Sequence, residues 1–196
     1  MRVRVLLYKS KLRDGHYIDN GISFWTKLFN WRTRNYSHVE LWMPDKMGWF
    51  TGVKVDNNKM FVFGTCFTST MGQVGGRKGA GGTCIRPVSD ILNHPDRWDY
   101  QEIECTDGQY KALQIACDLM VKFNKGYDMS AIVSFFNPFG RYPCKQDMYI
   151  CSEAVWVALW KAGILVDRKL FSPRRMSRKV AQYIFSGCKL GEIKEL

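Results

Sequence analysis

Two short segments carry residues that could do chemistry together. Tyr36-Ser37-His38-Val39-Glu40-Leu41 has strand character, and Tyr149-Ile150-Cys151-Ser152-Glu153 opens a helix. An imidazole and a thiol are the halves of a base–nucleophile pair: the base takes the thiol proton and the sulfur attacks an electrophilic carbon. At a helix N-terminus the unpaired backbone N–H groups and the macrodipole favour negative charge, and therefore the thiolate. The same N–H groups, that of Cys151 included, are placed to stabilise the oxyanion formed when a thiolate attacks a carbonyl. Each residue also has a plainer reading. Cys151 fits a small apolar position on a buried helix face, and His38 fits a satisfied structural residue on a strand.

The elements that must position this pair follow from periodicity. Residues 1–11 alternate charged and apolar side chains and read as a first strand. Ile22, Trp25, Leu28 and Phe29 recur at helical spacing, so a helix is expected just before the His38 strand. Strand-like runs at 48–55 and 60–67 flank the turn residues Asp56-Asn57-Asn58 and suggest antiparallel, meander-like pairing. Gly72, Gly75, Gly76, Gly79, Gly81 and Gly82 surround Arg77-Lys78 without the spacing of a Walker or dinucleotide loop, so a mobile loop passing over a site is expected. Residues 84–88 can form another strand.

Thr106-Asp107-Gly108-Gln109 has the spacing of a capping box ahead of Tyr110, Leu113, Cys117, Met120 and Val121, which predicts an amphipathic helix. A short helical piece is expected over 127–136, stopped at Asn137-Pro138. Val155, Ala158, Leu159 and Ala162 give the Cys151 helix a core face, and Gly163 supplies its left-handed end. Ser172-Pro173 caps a last helix through Phe185.

Composition bounds the rest. The chain has 196 residues, 46% of them hydrophobic, no linker-like stretch and no internal repeat, so a single domain over 1–196 is expected. Its start has no apolar run long enough for a signal peptide or membrane span. Seven cysteines, an odd number without a C-x-x-C pair, fit a reducing cytoplasm better than a disulfide framework. His16, His38 and His94 lack ligand spacing, so neither a metal nor another cofactor is expected. A net charge of +11 favours anionic partners, but no nucleic-acid recognition motif accompanies it. The one dense basic cluster, Arg168, Lys169, Arg174, Arg175, Arg178 and Lys179, fits a solvated helix face.

The S-H-V strand at Ser37-His38-Val39, the C-S-E helix start at Cys151-Ser152-Glu153 and the later Phe171-Ser172-Pro173 together resemble the permuted NlpC-like cysteine hydrolases, the YiiX-like group of the papain superfamily. Residues 64–70, Gly-Thr-Cys-Phe-Thr-Ser-Thr, are similar to a version of this pattern in proteins encoded by tailed bacteriophages. The resemblance implies an α+β, circularly permuted papain-like fold in which an antiparallel sheet packs on helices and histidine precedes cysteine. It implies Cys151 as nucleophile and His38 as general base. The family's third residue, often Glu, falls near Thr68, which departs from the pattern; a hydroxyl can fix the imidazole tautomer but stabilises imidazolium less than a carboxylate. Ser69, Thr65 and Glu40 are rivals, Glu40 because residues two apart on a strand share a face. Residues 44–59 look like an insertion, and Trp42, Trp49 and Phe50 would wall a cleft or pack in the core.

The function expected is a cysteine hydrolase or acyltransferase that acts on an amide or ester carbonyl of a peptide, lipid or cell-wall substrate through an acyl-enzyme. The alternative is a catalytically silent phage accessory or host-interaction protein that uses its basic surface to bind an acidic protein partner. Either would work in the cytoplasm, that of a bacterial host if the chain is phage-encoded.

Overall fold

The computed structural model describes residues 1–9, 36–43, 65–70, 81–88, 91, 93–128, 148–165 and 192–196. Among these residues the architecture is α+β. Strands β1 (Arg2–Lys9), β2 (Tyr36–Met43), β3 (Thr65–Thr70), β4 (Gly82–Pro87), β5 (Trp98–Glu104) and β6 (Lys194–Glu195) form one sheet, with helices α1 (Asp107–Lys122) and α2 (Cys151–Lys161). The sheet order is β4-β3-β2-β1-β5-β6, and every pairing is antiparallel.

Alternation along the strands separates two apolar layers. Val3, Val5 and Leu7 of β1, Val39, Leu41 and Met43 of β2 and Phe67 of β3 belong to the larger core, with buried residues of α1 and α2. Leu6, Trp42, Cys66 and Trp98 form a second cluster with Val88 and Ile91. Trp42 is thus a core residue, with only 3% of its surface exposed.

α1 begins as its capping box requires: the Gln109 N–H donates to Thr106 Oγ1 at 3.2 Å, and the Thr106 N–H donates to Gln109 Oε1 at 3.0 Å. Its buried face is Tyr110, Leu113, Ala116, Cys117 and Met120. α2 differs, because all nine residues from Cys151 to Leu159 are buried, so this helix runs through the core rather than over it. It ends at Gly163, whose φ of 69° is the left-handed conformation that Gly adopts without a Cβ penalty. The Gln109 side chain donates to Gly163 O at 2.8 Å and ties the start of α1 to the end of α2.

Two expectations need correction, and one strand had no expectation at all. The strand expected over 60–67 is β3, which extends to Thr70; residues 60–64 lie outside the described residues. Tyr127 does not begin a helix but forms a parallel bridge with Tyr149, which brings the chain after α1 alongside the segment that leads into α2. β5 was not expected at all. Its buried Asp99 and Gln101 break the apolar alternation, and what holds them is tertiary: Asp99 accepts from Lys9 Nζ at 2.8 Å and from Tyr36 Oη at 2.6 Å. The expected elements near 22–31, 48–55 and 172–185, the glycine loop up to Ala80, the remainder of 127–136, the Arg168–Lys179 cluster, Trp49, Phe50 and Phe171-Ser172-Pro173 lie outside the described residues.

Candidate active site

β2 delivers His38 through an irregularity in its own backbone. Tyr8 of β1 is opposite His38 and Lys9 is opposite Tyr36, so Ser37 is an extra residue in the β2 ladder. Such a bulge bends the strand and re-aims the neighbouring side chain, a device common beside active sites. The entry to the bulge is anchored by the Tyr36–Asp99–Lys9 contacts. The His38 ring stands edge-on to Trp98, with centroids 6.4 Å apart.

Cys151 is the first residue of α2 and is buried in the larger core. Ile150 occupies the N-cap position and has no side chain able to cap, so the first N–H groups of α2 receive no capping bond from it. The approach to the helix is pinned by β3, where Ser69 Oγ donates to Tyr149 O at 2.7 Å. One β3 residue thus fixes the cysteine segment, and its neighbour Thr68 faces the histidine.

Cys151 lies close enough to the His38 imidazole to act on it both by charge and by side-chain hydrogen bonding. The ring's Nε2 lies 3.1 Å from Glu40 Oε1 and 3.1 Å from Thr68 Oγ1. Thr68 uses its own proton on Val39 O at 3.1 Å, so its oxygen can only accept from the ring, and Nε2 is the protonated nitrogen. Glu40 is fully buried and is held by Arg86 of β4: Nε donates to Oε2 at 3.1 Å and Nη2 donates to Oε1. A thiol, an imidazole, a carboxylate and a guanidinium therefore follow one another in sequence across α2, β2 and β4.

Electrostatics favour a protonated ring. Burial disfavours the imidazolium, but the charge and hydrogen-bonding interactions of the ring with Cys151 and then with Glu40 outweigh burial and raise the His38 pKa from 6.5 to about 10. The side chain keeps 22% of its surface exposed, so the imidazolium also retains part of its hydration. Cys151 and Glu40 on either side of the ring thus both favour its protonated form.

Of the four candidates for the third residue, the structure brings two to Nε2, Thr68 and Glu40. Ser69 is engaged with Tyr149 O instead, and Thr65 lies opposite Met43, at the end of β3 away from His38. Arg86 was not among the candidates. Its one sequence signal is a charged side chain between apolar neighbours in a strand, a position that requires a paired charge if it is buried. Among the described residues no group of three or more His, Cys, Asp or Glu side chains is arranged to hold a metal ion, and no helix is long and apolar enough to cross a membrane. Comparison with protein families, curated proteins and solved structures found no match to this chain.

Proposed function

We propose that the protein is a thiol hydrolase or acyltransferase of permuted papain-like, NlpC-type fold, with Cys151 as nucleophile, His38 as base and acid, and Glu40 with Thr68 as the groups that orient His38. The single observation that supports the reading is Cys151 at a helix start interacting with the His38 imidazole, whose Nε2 meets a buried carboxylate. A merely structural histidine has no need of that combination. The chain order, His38 on β2 before Cys151 on α2, agrees with a permuted connection.

In the ground state the thiol proton resides on the ring, leaving a thiolate and an imidazolium. Nε2 is occupied by Glu40 and Thr68, so the proton exchanged with the substrate is the one on Nδ1. The sulfur attacks an amide or ester carbonyl carbon, a C–S bond forms, and the carbonyl π electrons move to oxygen. The backbone N–H of Cys151, at the start of α2, is placed to stabilise that oxyanion. Collapse expels the amine or alcohol, which takes the Nδ1 proton, and a thioester remains. Water or an acceptor amine, deprotonated by the now neutral ring, then attacks the thioester and regenerates the thiol. Peptide, lipid and cell-wall carbonyls all satisfy these steps.

The test is alkylation kinetics with limiting iodoacetamide, read residue by residue by mass spectrometry at pH 7. Cys151 should react first among the thiols, and His38→Ala should slow it while the circular dichroism spectrum stays native. Preferential labelling of another cysteine, or a rate indifferent to His38→Ala from about pH 5 to 9 where imidazole and thiol ordinarily titrate, would overturn the reading.

A further inference from the structure

Glu40 has two cationic neighbours. Its Oε1 meets both Arg86 Nη2 and His38 Nε2, and its Oε2 accepts from Arg86 Nε. The carboxylate is fully buried, whereas the Arg86 side chain keeps 32% of its surface exposed. Other groups line the same region. β3 contributes Cys66 and Thr68, and β4 adds Cys84 beside Arg86. The buried Glu153 lies in the first turn of α2, two residues after Cys151; β1 contributes Tyr8, opposite His38 and bonded by Arg97, and the Lys9–Asp99–Tyr36 group closes the β1–β5 side.

Charge counting over the connected groups gives Arg86 a purpose. With the thiol proton on the ring, Arg86 and His38 are positive while Glu40 and Cys151 are negative, and the four sum to zero. Without the guanidinium, a buried carboxylate and a buried sulfur would compete for one imidazolium. A carboxylate hydrogen-bonded to the ring is the better partner, because it is the more weakly basic anion, and the thiol would then keep its proton.

We propose that Arg86 is a positioning residue that acts through Glu40: by occupying the carboxylate, it leaves the Cys151 sulfur as the counter-ion of the His38 imidazolium. The inference rests on the functional reading above. It makes Arg86 a determinant of the nucleophile's protonation state although it has no bond to the sulfur. Because the effect is one of charge, a lysine should serve in place of the arginine, and removing the competing carboxylate should compensate for removing the cation.

The experiment is the pH profile of Cys151 alkylation in the native chain, Arg86→Met, Arg86→Lys and the double variant Arg86→Met/Glu40→Gln. Arg86→Met should move the acid limb to higher pH by about one unit, a rate loss of about tenfold on that limb. Arg86→Lys and the double variant should both return the limb to within about half a unit of native. A folded Arg86→Met protein with a native profile overturns the proposal, as does a loss that Glu40→Gln does not reverse. Should Arg86→Met not fold, the double variant decides alone: a near-native limb supports the charge balance, and a limb displaced by a unit overturns it. A native Cys151 that is slow and indifferent to His38→Ala removes both the functional reading and this role. A fast, His38-dependent Cys151 whose profile ignores Arg86 removes only the role of Arg86.

Discussion

Cys151 and Cys84 are both buried thiols at the two ends of one chain of charged groups, Cys151 beside His38 and Cys84 beside Glu40 and Arg86, and their surroundings differ. Cys84 lies inside β4 and is opposed by Thr68. Burial and the Glu40 carboxylate push its thiol up to about 11, and Arg86 and a hydrogen bond from Thr70 offset only part of this. Cys151 begins a helix and has the His38 imidazole beside it. Burial alone makes a cysteine inert; a reactive one needs a cation and a set of N–H dipoles that remain in place when water is excluded. The difference lies in which end of the Glu40 network each thiol meets: Cys84 meets the carboxylate and its arginine, Cys151 the imidazole that the carboxylate supports.

The most severe way to break this contrast is to remove one thiol at a time. Cys151→Ala should abolish turnover of an acyl or peptide substrate, a loss on the order of 10⁴-fold or more, since the covalent route disappears. Cys84→Ala should leave turnover within about twofold, because nothing in the proposed route passes through it. Profiling acyl and peptide libraries with the native and both variant proteins measures both effects.

Glu40→Gln attacks the network that the two thiols share. It leaves Arg86 partly buried without its anion and should lower stability by about 3 kcal/mol, read from urea denaturation. The same substitution removes one of the groups that raise His38, so the imidazole should titrate below its native value of about 10, as NMR of labelled histidine can follow.

His38 supplies a pH signature of its own. Its pKa is higher in the folded protein than in the unfolded chain, so its stabilising contribution is complete below pH 6.5 and is lost as the pH rises through about 10. The gap in melting temperature between the native protein and His38→Gln should accordingly narrow between pH 6.5 and about 10. A constant gap across that window would mean that the ring is not held as an imidazolium. The smallest expected effect concerns Cys84 alone: it should resist iodoacetamide at pH 7 in the folded protein and become reactive only as the pH approaches about 11.

Much of this arrangement could be read from residue type and spacing, because the interactions concerned are local. A capping box spans three residues, a helical face repeats within two turns, and Gly163 ends α2 through its own φ angle; each follows from short-range geometry. The strand carrying His38 and the helix opened by Cys151 belong to the same kind, and so does the pairing of His38 with Glu40, since residues two apart on a strand share a face. The sequence by itself thus determined the two elements at the candidate site, the thiol and imidazole they carry and one of the two groups on Nε2.

Tertiary structure decided the rest, for reasons that no window of sequence contains. β5 is a strand because Lys9 and Tyr36 satisfy its buried Asp99, from β1 and β2. The extra residue at Ser37 exists only relative to the register of β1. The choice between Glu40 and Thr68 as the group behind His38 had no single answer, because sheet register brings both to the same nitrogen. Arg86 acquires its meaning only when β3 carries β4 alongside and the guanidinium meets a carboxylate 46 positions away. Charge–charge contacts between strands distant in sequence depend on the register of the whole sheet, which is why the sequence singled out Cys151 and His38 and the fold alone brought Arg86 to Glu40.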